Sequence, residues 1–432
     1  MLSTTYKRIL DLKQYFYHEG FKKYFKNTGW LFMARFINLV FAFFVTAYVA
    51  RYLGPANYGL LSYAISFVSL FVFIVNLGID HILFRNLISE LDKKDQHLGT
   101  SFILRLTGAI VAFITVSIIS FQTNGDDITN ILILIIAFSF IFQPFNVLNY
   151  FFQSRVQSKY ASLATIGVTI LLSFIKIGIV LLDKGIIYFA FISVLETFFY
   201  AIFYLFFYKK LGFSIFNWKF DKQIAKNLMK DSWPLIFSTV FTLIYSRIDQ
   251  VMIMHYFNQT AVGLYDAAVR IAEIWYLVPG IIVSSVFPAL VNAKKQNESL
   301  YRKRLIDLFI LIFILGLGFS LSISLLAYFI MYIIFGVAFI TATSILQIYV
   351  WGGIGYTLFF AVNQFLVTEN YTKIIFFSTL ISMVVNVFLN VILIKSIGLN
   401  GAAWATLTSY TLLPISILLF KKVRYKLLLN YE

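Results

Sequence analysis

The residues able to do chemistry in this chain are charges set inside long apolar runs. Arg247 and Asp249 lie in one run. Asp266, Arg270 and Glu273 lie in the next, spaced four and three apart, so they share one stripe of a helix. Arg35, Lys176 and Glu196 sit in other runs. An ionised side chain at a bilayer centre costs roughly 2.5–3.5 kcal/mol on insertion scales, so such charges face a polar interior rather than lipid. Arginine there suits an oxygen-rich anion, because its guanidinium is a planar fork of donors. The acids Asp249, Asp266, Glu273 and Glu196 are candidates to bind a coupling proton or sodium ion.

Uncharged polar residues continue the pattern. Ser162, Thr165, Thr169, Ser173 and Lys176 follow a 3-4-4-3 spacing. They fall within about 80° of one another on a helix and make one stripe. Arg35, Asn38 and Thr46 share a second face, and Thr379, Ser382, Asn386 and Asn390 a third. Folding two helices about Asn258 and Gln259 brings Arg247 level with Arg270, each about 13 Å from its helix end. Arg247 and Asp249 point about 200° apart, so one of them faces a neighbouring helix. Static roles compete with binding. Lys176 and Glu196 fit an interhelical pair, Arg105 lies near enough to one end of its run to snorkel, and Asp80 and Arg85 fit a structural or gating role.

Catalytic constellations are absent. The chain has no cysteine, hence no thiolate nucleophile, ligand or disulfide. His18, His81, His97 and His255 fall in no metal-ligand spacing, and no GxxxxGK[ST] loop occurs. No metal and no organic cofactor is expected.

The elements that must position these charges follow from composition. Hydrophobic residues make up 60% of the 432, and charged ones only 12%, against about 25% in soluble chains. The runs are long and continuous, which favours spanning helices of about 20 residues over barrel strands. Twelve are expected, at roughly 30–50, 59–82, 98–121, 130–151, 161–182, 186–208, 232–256, 261–288, 304–328, 336–366, 372–394 and 400–420. The fold class is thus an all-α polytopic membrane protein.

The net charge of +16 reflects topology rather than nucleic acid. Of the 35 Lys and Arg, one set of loops holds only Arg51, Lys184 and Lys395, while the other set holds almost all those outside the spans. The positive-inside rule then puts both termini in the cytoplasm. Residues 1–29 carry aromatics among lysines and read as an amphipathic segment on the membrane surface, without a cleavable signal.

The chain repeats. Tyr52, Gly59, Leu60 and Ala64 match Tyr256, Gly263, Leu264 and Ala268 at one offset, and Asn149, Phe151 and Lys159 match Asn363, Phe365 and Lys373 at another. Residues 30–208 and 232–421 form two halves of six spans, related by an axis along the membrane normal. The linker 209–231 carries FNWKF, read as a second surface-lying helix, and residues 422–432 form a tail.

The hairpin ARYLGPANYGLLSYA with NLGIDHILFRNL, the stretch FQSRVQSKYA, and NVFLNVILIKSIGLNGAAWATLTSY resemble Wzx-type flippases of lipid-linked oligosaccharides. These belong to the superfamily of multidrug, oligosaccharidyl-lipid and polysaccharide exporters. The resemblance covers about residues 28–420. It implies two six-helix lobes across a central cavity and alternating access. The cargo would be an undecaprenyl-diphosphate-linked glycan, turned over the bacterial inner membrane for O-antigen, capsule or exopolysaccharide synthesis. It further implies that cavity cations hold the diphosphate. Arg35, Lys176, Arg247 and Arg270 fit that role here, with Asn386 and Asn390 as polar partners for phosphate or sugar. The implied partners are the lipid-linked glycan, the bilayer, and glycan polymerase and chain-length machinery. Two alternatives stand beside this reading. A drug or cation antiporter of the same superfamily would favour unmatched acids, and a membrane glycan polymerase would favour a large outer loop.

Overall fold

The structure, a computed structural model, describes residues 19–123, 126–369, 371–421 and 423–424. The expected surface segment lies largely outside the described residues, as does most of the tail. All regular structure among the described residues is helical. In chain order the helices are α1 (Glu19–Ser69), α2 (Val72–Asn76), α3 (Asp80–Ser89), α4 (Lys94–Thr123), α5 (Asp127–Phe138), α6 (Val147–Ser154), α7 (Ser158–Leu181) and α8 (Ile186–Lys210). There follow α9 (Lys222–Tyr256), α10 (Gln259–Glu273), α11 (Leu277–Gln296), α12 (Glu298–Ile334), α13 (Thr343–Thr368), α14 (Thr372–Ile397) and α15 (Leu399–Ser416).

Among the described residues, ten segments are long and apolar enough to cross a membrane, or eleven if the bent pair across residues 127–154 is one span. The difference from twelve lies at the start. Residues 27–89 form one apolar segment of 63 residues, which holds the first two expected runs. A straight helix of that length would be about 95 Å, three times the hydrocarbon thickness of about 30 Å. The break falls at Gly54, whose φ of 69° is left-handed, followed by Pro55. Glycine tolerates that φ, and proline presets the next turn.

Three expected spans are interrupted, the eighth by a single 3₁₀ turn at Ile274–Tyr276. The second breaks after Asn76, where Leu77 and Gly78 are both left-handed (φ 51° and 60°). The fourth bends by 43°, through 3₁₀ turns over residues 139–146 that contain Pro144. Pro234, by contrast, lies within the continuous α9.

The linker departs from expectation. FNWKF is not a surface helix: Ile215–Asn217 is a single 3₁₀ turn, Trp218 is extended, and α9 starts at Lys222 with an Asp221 cap. Local docking overrides amphipathicity there. The Trp218 indole donates to Tyr208 Oη at 3.2 Å and its ring lies 5.4 Å from Phe102. Gly99 sits against the Lys219 backbone.

The two halves touch through matching glycines. A Cβ on Gly59 would stand 1.8 Å from the Gln259 carbonyl oxygen, and one on Gly263 would stand 2.1 Å from that of Pro55. Only bare backbone permits this approach of α1 to α10. The Arg51 guanidinium adds bonds to the Tyr332 and Ile333 carbonyls of α12. At the basic end, Gly78 lies against Ile236, and Arg85 pairs with Asp231 at 3.2 Å.

Overpacking typically costs about 1–3 kcal/mol. Gly263→Ala should therefore lower the melting temperature in detergent by several degrees. Gly178→Ala, whose Cβ would meet nothing within 4 Å, should leave it unchanged or raise it. Equal melting of the two variants would rule out a tight crossing.

Candidate functional site

The later part of the α7 polar stripe, from Thr169 to Lys176, faces a cavity of about 270 Å³. Asn38 and Thr46 reach it from the first part of α1, and Tyr58 and Ser62 from the part after Gly54. Thr169, Ser173 and Lys176 come from α7, Ser193 and Glu196 from α8, and Arg270 from α10 in the second half of the chain. The α7 spacing of four, four and three aims its polar residues to one side, as read from the sequence. The Asn38 amide donates to Thr169 Oγ1 at 2.8 Å and ties α1 to α7. None of the ion pairs among the described residues joins Lys176 to Glu196. They face the cavity together rather than locking each other as a static pair.

Behind the cavity, Asp266 is the junction of the two halves. Its Oδ2 accepts from Tyr58 Oη at 2.5 Å, Ser62 Oγ at 3.0 Å and Arg270 Nε at 2.7 Å. Its Oδ1 accepts from Gln250 Nε2 at 3.0 Å, and Gln250 Oε1 in turn accepts from Ser66. Asp266 is 1% exposed. A carboxylate so buried is tolerated only when paired and fully hydrogen-bonded. Arg270 thus has two contacts. It neutralises Asp266 on one side and lines the cavity on the other, with 36% of its side chain exposed.

The other expected site residues lie elsewhere. Arg247 pairs with Glu273 at 3.8 Å, and both are partly exposed. Asp249 faces α15: Tyr265 Oη and Thr406 Oγ1 donate to its Oδ2, and the Gln250 backbone N–H donates to its Oδ1. Hydroxyl and amide donors meet it, with no ion pair among the described residues. Arg35 is exposed and is not among the cavity residues. Asn386 and Asn390 are fully buried. Asn390 donates to Asn386 and Asn386 to Ser409 of α15, at 3.0 and 3.1 Å. That face of α14 is thus turned into a helix interface, away from the cavity. Arg105 does not snorkel. It is completely buried and ion-paired with Asp80, which holds α4 against α3.

Tyr58, Ser62, Ser66 and Gln250 did not stand out among the charges. Their signal is the four-residue spacing of Tyr58, Ser62 and Ser66, one polar stripe on a helix.

Comparison with known proteins gives concordant matches. The family described as polysaccharide biosynthesis protein matches residues 24–294, and the family described as MatE matches residues 234–392. The probable low-salt glycan biosynthesis flippase Agl15 of Haloferax volcanii is 30% identical over 191 residues. That match spans 43% of this chain and 40% of the relative, less than half of either. Among solved structures, the inward-facing conformation of a multidrug-resistance MATE transporter superposes with a TM-score of 0.67 at 16% identity, covering 89% of this chain and 94% of that one. The lipid II flippase MurJ, in an inward closed conformation, gives 0.67 at 18% identity over 91% and 87%. At such identities the likeness is one of fold.

Removing one partner of a buried ion pair typically costs about 3–5 kcal/mol, whereas one hydrogen bond to a charge is worth about 1.5–3 kcal/mol. Asp266→Asn should therefore destabilise the protein more than Tyr58→Phe, measured by unfolding in detergent. The reverse order would contradict the placement of Asp266 as the junction.

Proposed function

Because this chain belongs to the polysaccharide biosynthesis protein family, we propose that it is a flippase that turns a polyprenyl-diphosphate-linked glycan across a membrane by alternating access. The observation that carries this reading is one cavity in which Lys176 and Arg270, from the two halves of the chain, face each other with a row of hydroxyls and one acid. Two cations against Glu196 suit a diphosphate: charge-assisted bonds hold its oxygens, and the hydroxyls can give or take further bonds. A hydrocarbon tail would remain in the bilayer. The same balance disfavours a site for an organic cation, and with it the antiporter reading. The related glycan flippase and the fold shared with MurJ support the assignment.

The remaining features extend the proposal. The distribution of Lys and Arg supports both termini in the cytoplasm, and the flippase reading extends to a bacterial inner membrane and to supply of a glycan polymerase and its chain-length machinery. For coupling, Asp249 is the best placed of the four acids. Asp266 and Glu273 are paired with arginines, and Glu196 opens into the cavity. Asp249→Asn should leave binding intact and abolish stimulation of transport by a proton or sodium gradient. Retained stimulation would exclude it as the coupling acid.

The test of function is flipping of undecaprenyl-diphosphate disaccharide in proteoliposomes of purified protein. Wild type should translocate it, and Lys176→Gln should lower the rate roughly tenfold to a hundredfold at limiting carrier, the size of one charge-assisted bond. Its melting temperature should not change. An inactive wild type, or a fully active Lys176→Gln, would sink the reading.

A further inference from the structure

A second cavity, of about 360 Å³, opens in the first half of the chain beside the one that holds Lys176. It forms where two helices are interrupted. Asn76, the last residue of α2, reaches it from the broken second span, and Gln143 and Asn146 from the 3₁₀ turn of the bent fourth span. Asn149 of α6, Thr165 of α7, and Thr197, Tyr200 and Tyr204 of α8 complete its polar lining. Apart from tyrosines, no ionisable side chain lines it. It lies along the helices that carry the charged cavity. Thr165 precedes Lys176 on the same α7 stripe by about 16 Å of helix, and Tyr200 is one turn beyond Glu196 on α8.

Its chemistry narrows the ligand. An anion or cation would find no countercharge there, and a lipid chain would leave the amides without partners. A primary amide offers a carbonyl acceptor beside two N–H donors, so each can both give and take a bond from one hydroxyl-bearing ligand. Phe142 supplies an aromatic ring in the same lining. The amides are not occupied with one another. Asn149 Oδ1 accepts from Gln153 at 3.0 Å, while the side chains of Asn76, Gln143 and Asn146 bond to no other described residue. At the offset that pairs Asn149 with Asn363, Gln143 and Asn146 fall opposite Thr357 and Phe360. The amide cluster is a property of one half.

We propose that this cavity is a sugar subsite: Asn76, Gln143, Asn146 and Asn149 hydrogen-bond a neutral sugar ring while the Lys176 cavity holds the diphosphate to which it is linked. The inference rests on the flippase reading for the attached diphosphate, and the two can fail separately.

The chain has no cysteine, so single-cysteine reporters are clean. Ser193→Cys reports the charged cavity, and Thr197→Cys, one turn away and bonded only to its own helix backbone, reports the amide cavity. Maleimide labelling of the full chain in nanodiscs is followed with bare undecaprenyl diphosphate and with undecaprenyl-diphosphate disaccharide of N-acetylhexosamines. At ten times Kd, occupancy slows labelling about tenfold. The bare carrier should protect Ser193→Cys alone, and the disaccharide carrier should protect both. Asn146→Leu should remove protection at Thr197→Cys and leave it at Ser193→Cys. Disaccharide protection at Ser193→Cys without Thr197→Cys overturns the subsite and leaves the flippase reading standing. So does protection of Thr197→Cys by the bare carrier, or protection that survives Asn146→Leu. No protection at Ser193→Cys by either carrier contradicts the diphosphate site, and the Thr197→Cys result then decides the sugar subsite by itself.

Discussion

The structure depends on a single buried carboxylate. Asp266 lies where α1 and α10 cross over bare glycine backbone, and it takes hydrogen bonds from both halves of the chain at once. A charge in that place is stable only while its partners stay together. The crossing at Gly59 and Gly263 brings the halves close enough for Tyr58 and Ser62 to reach Asp266. Asp266 in turn fixes Arg270, whose remaining surface faces the cavity. Contact between the halves and the cation at the site therefore meet at Asp266. A movement that separates the halves takes Tyr58 and Ser62 from Asp266 and leaves Arg270 as its ion-pair partner within α10.

The two halves share a plan and differ in chemistry. The repeated hairpin supplies the crossing in both, yet the charges Asp266, Arg270 and Glu273 sit only in the second copy, while Lys176, Glu196 and the cavity amides sit in the first. A site assembled from unlike halves has a direction: cations on one side, and neutral donors and acceptors continuing away along α7 and α8. That polarity suits an elongated cargo with a charged head and uncharged sugars better than a compact drug-like cation.

Much of this was legible in the sequence. Apolar runs located the helices, because the bilayer demands continuous ones. Helical spacing picked out the face of α7 that lines the cavity. Periodicity, however, names a face without naming what it faces. Asn386 and Asn390 form as regular a stripe as Thr169 and Ser173, yet they point into α15. Arg105 looked near enough to an end to reach water, but Asp80 across a helix break captures it. Arg35 shares a face with Asn38 and Thr46 yet stays exposed outside the cavity lining. The Asp266 junction was half visible: its charge stood out, but its hydroxyl partners are ordinary residues until the fold brings them together.

In the proposed flippase, Lys176 and Arg270 jointly hold the diphosphate of a lipid-linked glycan. The most direct measurement is a cryo-electron microscopy map of the full chain in nanodiscs saturated with undecaprenyl-diphosphate disaccharide. Joint binding predicts diphosphate density within hydrogen-bond distance of both Lys176 Nζ and the Arg270 guanidinium. Density at the Arg247–Glu273 pair instead, with the Lys176 cavity empty, would contradict it.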